Sequence, residues 1–339
     1  MRRYVLRRLA VGVLQALGIT IAVFFVIRAL PADPVSRIVG MNPTPESIAQ
    51  ARKALGLDMS LFQQLLSFLG FHGNGVFTGS LGTSWVSGST ILSEIAITLP
   101  TTIQLIVTSF IVALAVAIPI GMATARRPGG KLDKGVFGYG LFAGAQPEFW
   151  WGLIFIFVFY FKLGIAPAPL GMLDPELTAP DAVTNFVLID SLIAGDFTAF
   201  KSALGHLVLP VLTLSFLLVG PLLKMTQQSM SRVLSSEFIL YQQASGLEKK
   251  SIGRSTLRSA LAPIITLTGI LFGFMLSGAV LVESVFSLNG LGQYSVAAVL
   301  NLDFPAVQGV ILVISVISLF VYLGLDLLLA KIDPRILVK

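Results

Sequence analysis

The chain has 339 residues, of which 55% are apolar and only 12% are charged. A soluble domain carries about a quarter charged residues, so this composition excludes an ordinary water-exposed surface and indicates a lipid-facing exterior. The net charge of +6 could suggest nucleic acid, but the basic residues lie beside apolar runs, and no nucleic-acid partner is predicted. The absence of cysteine excludes disulfides and thiolate chemistry, and two histidines are too few for a histidine metal centre.

Six apolar segments are long enough to cross a bilayer, which takes about 20 residues of α-helix. They are residues 9–30, 101–124, 136–161, 205–223, 263–285 and 306–330. Pro147 and Glu148 interrupt the third segment, and Pro210 and Pro221 lie within the fourth. The first segment follows basic residues, as a secretory signal does, but it exceeds a signal-peptide core of roughly 7–15 residues. The sequence therefore predicts an all-α polytopic membrane protein with six transmembrane helices.

The distribution of lysine and arginine predicts the orientation of the chain. With six spans both termini share one side, and the segments on that side hold 17 of the 23 basic residues, against five on the other side. Because cytoplasmic loops are enriched in Lys and Arg, both termini are predicted to be cytoplasmic. The predicted parts are an N-terminus with the first helix (1–30), an extracytoplasmic segment (31–100) and a five-helix core (101–339). The core contains an extracytoplasmic segment (162–204) and a cytoplasmic loop (224–262).

Two short helices are predicted in the outer segment 31–100. Pro45 opens the first helix, which stops at Gly56, and Ser60 and Gln63 form a capping box for the second, which stops at Gly70. The first helix has an apolar face of Ile48, Ala51 and Leu55, and the second is predicted to bury Phe62, Leu65, Leu66 and Leu69. Two interpretations stay open, a docking platform or gate and a cap that shields helix ends.

The sequence contains few residues of the kinds that bind nucleotides, catalyse reactions or relay ions. The nearest approach to a phosphate-binding loop, residues 125–132, lacks the first glycine and the Ser/Thr of the Walker A motif. The chain is therefore predicted not to be an enzyme and to hold no cofactor. Two acids, Glu148 and Asp326, are noted within the spans. Each could belong to a proton or cation relay, or could form a structural hydrogen bond. Arg28 is interpreted as snorkelling to the membrane surface.

The cytoplasmic loop 224–262 contains a helical stretch that is predicted to end at Gly246, a residue typical of the position after a helix. A short charged piece follows, and a second helix is predicted to enter the membrane at Pro263. This elbow could carry force from an external partner, or it could be a plain linker. The loop alone does not decide between them.

The same loop resembles the coupling loop of binding-protein-dependent ABC permeases, with Ala244-Ser245-Gly246-Leu247 followed by Leu257-Arg258-Ser259-Ala260-Leu261-Ala262-Pro263. Other segments resemble the dipeptide, oligopeptide and nickel branch of that family. They are Arg7-Arg8-Leu9, Pro31-Ala32-Asp33-Pro34, Leu55-Gly56-Leu57-Asp58, Gly79-Ser80-Leu81-Gly82-Thr83-Ser84, Leu99-Pro100-Thr101-Thr102, Glu283-Ser284-Val285-Phe286, Gly290-Leu291-Gly292, Asp303-Phe304-Pro305-Ala306-Val307-Gln308-Gly309 and Asp333-Pro334-Arg335. The loop departs from the family pattern at Gln227, Gln242 and Gln243.

The resemblance implies a type I ABC importer in the bacterial inner membrane. The chain would pair with a homologous second permease, two cytoplasmic ATPases that hold ATP and Mg, and an extracytoplasmic solute-binding protein. The implied ATPase-coupling residues are Gln242, Gln243, Ala244, Ser245, Gly246, Leu247, Glu248, Lys249 and Arg258. The solute would be a peptide or a related small molecule. The alternatives are an ion-coupled secondary transporter or channel, and a membrane-anchored scaffold.

Overall fold

The computed structural model describes residues 2–31, 33–35, 39 and 44–332. Regular structure within these ranges is helical, apart from one isolated bridge between Thr83 and Thr90. The α-helices are α1 Arg2–Ala29, α2 Pro45–Ala54, α3 Leu61–Leu69, α4 Ile91–Ala125, α5 Lys131–Ala143, α6 Glu148–Phe155, α7 Val187–Ile193, α8 Phe197–Leu234, α9 Glu237–Ala244, α10 Lys249–Phe286, α11 Leu291–Leu300 and α12 Phe304–Ile332. The motif residues Ala32 and Asp333-Pro334-Arg335, and the basic residues Arg37 and Lys339, lie outside the described residues.

Five of these helices are long and apolar enough to cross a membrane: α1, α4, α8, α10 and α12. A sixth span is formed if α5 and residues 148–162 count together, although the two pieces meet at an angle of 101°. The prediction of an all-helical protein with six spans is confirmed, with one of the six spans broken into two pieces. The predicted interruption of the third segment at Pro147 and Glu148 is confirmed. Pro147 lacks a backbone N–H and disfavours helical geometry in the residue before it. Pro147 instead serves as the N-cap of α6.

The helices are longer than the apolar segments predicted for them. Helices α8 and α10 have 38 residues each, which is about 57 Å at 1.5 Å per residue and well beyond a hydrocarbon core of about 30 Å. Helix α4 begins at Ile91, before the predicted start of the span at residue 101, and includes Pro100. Helix α10 likewise passes through Pro263, the predicted point of entry. Hydropathy locates the part of a helix that contacts lipid, not the polar turns that continue it.

One compact unit contains residues 1–100 and 289–320. Its core joins α1, the start of α4, α11 and α12 through Ile27, Ile91, Ile95, Leu291, Ala298, Phe304, Ala306, Val307 and Val310. Both predicted short helices are present, with Thr44 as N-cap of α2 and a capping box at the start of α3. The predicted burial of Phe62 was wrong, since its side chain is 65% exposed, whereas Leu65 and Leu69 are buried beside Phe24.

Arg28, interpreted as snorkelling, is partly exposed and also has partners within the protein. Its guanidinium stacks on the ring of Phe24 at 3.6 Å, and its Nε donates to Gln64 Oε1 at 2.8 Å. Gln64 in turn donates through Nε2 to the carbonyl of Met59. These bonds tie α3 to the end of α1.

Of the described residues, the second unit contains 101–288 and 321–332. Helices α8 and α10 pack along each other, and α5, α6 and α7 pack on α8. The core includes Leu105, Leu214, Leu218, Leu222 and Val282. In this unit the two pieces of the broken span pack on α8, and the loop 224–262 connects α8 to α10.

Candidate functional site

The chain between α8 and α10, residues 235–248, forms an elbow built around the short helix α9. Gly246 follows the C-cap of α9 with a φ of +72°. The backbone N–H of Gly246 donates to the carbonyl of Gln243 at 3.0 Å, and that of Leu247 donates to Gln242 at 3.2 Å. This pair of bonds is the Schellman arrangement, which satisfies the last carbonyls of a helix and favours glycine at the left-handed position. The predicted helix–glycine–helix turn is confirmed.

The surface of the elbow exposes several large apolar side chains. Ile239 is fully buried and anchors α9. Four large apolar side chains remain on the outside of the elbow, namely Phe238, Leu240, Tyr241 and Leu247. Tyr241 is 73% exposed. Clustered apolar side chains that stay exposed mark surfaces that contact a partner.

The structure brings together most of the residues predicted for this loop. Gln242, Gln243 and Ala244 form the last turn of α9, Ser245 is its C-cap, and Glu248 is the N-cap of α10. Lys249 begins α10, and residues 243–250 are all exposed. Gln242 Nε2 reaches Ser255 Oγ at 3.4 Å. Arg258 stands apart from the turn, about 13 Å along α10 from Lys249 at 1.5 Å per residue.

Gln227, one of the departures from the family pattern, links two elements. Its Nε2 donates to Asp133 Oδ1 at 2.5 Å, and Asp133 Oδ2 accepts from the backbone N–H of Gly129 at 2.8 Å. The amide thereby fixes the turn before α5 against α8.

A buried acid in α10 was missed by the sequence reasoning. Glu283 is fully buried and accepts a hydrogen bond of 2.5 Å from Thr102 Oγ1 of α4. A signal was present, because Glu283 lies inside the predicted span 263–285, where an ionisable residue is costly and is retained for a reason. Glu148 and Asp326 were therefore not the only acids in the spans.

Glu148 begins α6 at the break in the third span, where it is partly buried. Its carboxylate packs against Gly278 of α10, so that a Cβ added at Gly278 would lie 2.4 Å from Glu148 Oε1. Asp326 lies in α12, six residues before its end at Ile332, and is also partly buried. The roles expected for both acids stay predictions.

The contact between Glu148 and Gly278 predicts a compensating pair of substitutions. Gly278→Ala should be less stable than Gly138→Ala by about 1 kcal/mol, because both substitutions gain helix propensity but only the methyl group at 278 must displace a carboxylate. Glu148→Ala in the same background should restore the melting temperature, giving a clear coupling energy. Gly138→Ala, where an added Cβ meets nothing within 4 Å, is the control. Equal melting temperatures for the Gly278→Ala and Gly138→Ala proteins would contradict the contact.

A polar cluster surrounds Asp303 at the start of α12, in the unit that contains residues 1–100. Asp303 is buried and accepts hydrogen bonds from Ser84 Oγ, from the N–H of Trp85 at 3.2 Å and from that of Ala306 at 3.3 Å. Tyr294 nearby donates to Glu94 Oε2 at 2.5 Å. Burial, reinforced by this carboxylate, raises the pKa of Tyr294. The cluster holds the loop 79–90 to α12.

Within the described ranges, no group of three or more His, Asp or Glu side chains is placed to hold a metal ion. The arrangement of the described residues offers long spanning helices, a broken span and an exposed apolar elbow. These features define a polytopic membrane protein with a surface suited to a partner.

Comparison with known proteins identifies the family. Residues 1–106 match the family described as "Binding-prot-dependent transport system membrane comp, N-term", and residues 117–338 match "Binding-protein-dependent transport system inner membrane component". The chain is 37% identical over 325 residues to the "Probable D,D-dipeptide transport system permease protein DdpB" of Escherichia coli (strain K12), covering 96% of this chain and 94% of the relative. It is 33% identical to the "Dipeptide transport system permease protein DppB" of the same strain, covering 99% of each chain.

A further relative is the "Oligopeptide transport system permease protein AppB" of Bacillus subtilis (strain 168), 31% identical over 99% of each chain. The chain belongs to the family of inner membrane components of binding-protein-dependent transport systems. It is a multi-pass permease subunit of an ABC importer.

Proposed function

We propose that this permease forms part of the translocation pathway for peptides or a related small solute delivered by an extracytoplasmic solute-binding protein. The observation that carries the proposal is the similarity, over nearly the whole chain, to permeases whose names specify dipeptide and oligopeptide transport. A homologous second permease would complete the pathway. The chain would have no enzymatic activity or cofactor of its own, with ATP and Mg held by two partner ATPases.

The elbow is the proposed contact with the ATPase. Support comes from its exposed apolar residues Phe238, Leu240, Tyr241 and Leu247, which are unusual on a surface that meets water. The elbow also joins directly to α8 and α10, the two 38-residue helices that pack along each other. Movement of a partner bound at the elbow would therefore reach the helices of the membrane region without an intervening flexible segment.

Co-purification tests this assembly. The tagged full-length chain, extracted in mild detergent from its own host, is expected to retain an ATPase subunit whose ATP hydrolysis rises on adding peptide-loaded binding protein. Replacing Leu240 and Tyr241 together by serine should release the ATPase while the permease stays in the membrane. Retention of the ATPase by that variant would contradict docking at the elbow.

Cytoplasmic termini are also part of the proposal, supported by the predominance of basic residues on one side of the predicted spans. Because the chain contains no cysteine, single cysteines report topology without background. Asp181→Cys, at an exposed position, should react with a membrane-impermeant maleimide in intact spheroplasts. Ser235→Cys, exposed in the elbow, should react only after permeabilisation. The reverse pattern would overturn the orientation.

A further inference from the structure

A cleft of about 930 Å³ opens between the end of α4, the end of α8 and the first turns of α10, and Gln243 and Leu247 of the elbow also line it. Its rim carries four basic side chains, Arg126, Lys249, Lys250 and Arg254. Its inner wall is apolar and is formed by Met122, Met230, Leu234, Ile252 and Leu257. The cleft is therefore amphipathic, with positive charge outside and a hydrocarbon-like wall inside.

Four cations lie close together at this cleft, and the acid next to them in the sequence is Glu248, the N-cap of α10. None of them forms a salt bridge with a described residue. Lys249 and Lys250 also occupy the first turn of α10, which contains no acid. Cations at the start of a helix oppose its dipole, so their placement does not stabilise α10. A cluster of like charges held in this way is stabilised when an anion binds between them.

The apolar wall indicates which kind of anion fits. Met122 and the neighbouring Ala125 belong to the last turn of α4, at the end of a span, and Arg126 follows directly. Met230, Ala260, Leu234 and Leu257 form one apolar cluster with them. The cleft thus lies where the chain leaves the apolar part of the spans. Basic pockets between helices at this depth suit the headgroup of an anionic lipid, with its acyl chain along the apolar wall.

We propose that this cleft binds an anionic phospholipid, with the phosphate between Arg126, Lys250 and Arg254 and an acyl chain against Met122 and Leu257. The side chain of Arg126 extends from the end of α4 to the start of α10. A Cβ added at Gly253 of α10 would lie 3.0 Å from the Arg126 guanidinium. A bound lipid would bridge the end of α4 and the start of α10. The proposal goes beyond the transport function, and it concerns Arg126, Lys250 and Arg254 rather than the elbow residues Gln243 and Leu247, which line the same cleft.

Lipid retention tests the site on the full-length chain, reconstituted in nanodiscs of mixed dioleoylphosphatidylglycerol and dioleoylphosphatidylcholine and then extracted in detergent. Native mass spectrometry is expected to show phosphatidylglycerol retained in preference to phosphatidylcholine. The triple variant Arg126→Gln/Lys250→Gln/Arg254→Gln should retain about tenfold less phosphatidylglycerol. The control Arg127→Gln/Lys134→Gln/Arg232→Gln removes the same charge from exposed residues that do not line the cleft and should retain it like the parent.

Equal retention by the two triple variants would overturn the proposal. A photoactivatable phosphatidylglycerol should also crosslink to peptides containing residues 122–126 and 250–257, and crosslinking elsewhere alone would refute the location. If millimolar inorganic phosphate displaces the lipid completely, the cleft is a site for free anions and the lipid assignment fails. These readouts do not involve transport, so a chain that retains the lipid but supports no import would refute the proposed function only.

Discussion

A Gly246→Trp variant is expected to accumulate in the membrane at normal levels yet lose transport and substrate-stimulated ATP hydrolysis in the assembled complex. The φ of +72° at Gly246 costs a non-glycine residue about 1 kcal/mol, which is too little to unfold a bundle of this size. An added Cβ there meets no atom within 4 Å. The indole would therefore project from the elbow and block a partner rather than disrupt the fold.

Gly129→Trp is the matched control for this experiment. Gly129 has a φ of +77° and is equally open, but it lies in the turn between α4 and α5. Abundance by immunoblot, uptake of labelled dipeptide and ATP hydrolysis should all be normal in the control. Normal activity of Gly246→Trp would show that the elbow does not transmit the ATPase movement. Loss of the protein itself would show a folding role instead.

Removing Glu283 is expected to have the largest effect on stability. Glu283→Ala removes the hydrogen bond from the buried Thr102 hydroxyl and opens a cavity, at a combined cost of about 3 kcal/mol. Glu283→Gln keeps the shape and an acceptor, so about 1 kcal/mol is expected, in line with hydrogen bonds between membrane helices. The melting temperature of the detergent-purified protein should therefore fall in the order parent, Gln, Ala.

Ser284→Ala provides the control for the Glu283 substitutions. Ser284 is the next residue in the chain and is exposed, and its hydroxyl donates to the carbonyl of Val280 in the same helix. This variant should melt with the parent. A Glu283→Ala protein that also melts with the parent would mean that the bond to Thr102 contributes no stability.

Local backbone chemistry was predictable from the sequence. Pro45, the capping box of Ser60 and Gln63, and the glycines at 70 and 246 each determine a helix end through bonds between residues a few positions apart. Each of these interactions joins residues within a few positions of each other, so the local sequence determines it. The positions of the helix ends in the outer segment and the elbow therefore agree with the prediction.

Burial and helix length were less predictable, because they depend on residues distant in the chain. Phe62 has the same apolar character as Leu65, yet only Leu65 packs beside Phe24 of α1. The pairing of Glu283 with Thr102 joins residues 181 positions apart. The bend before Glu148 was signalled by Pro147, but its size depends on the packing of α5 and α6 against α8.

The continuity of α10 has a consequence for how quickly its two ends respond to each other. Glu283 lies about 51 Å along the helix from Lys249 at 1.5 Å per residue, with unbroken helix between them. A displacement of the first turn of α10 therefore moves Glu283 directly, because no loop that could change conformation lies between them. Within α10 the helix is expected to bend most easily at Pro263, because proline has no backbone N–H and one backbone hydrogen bond is missing there. Amide hydrogen exchange should accordingly be fastest, within the middle of α10, in the turn that precedes Pro263.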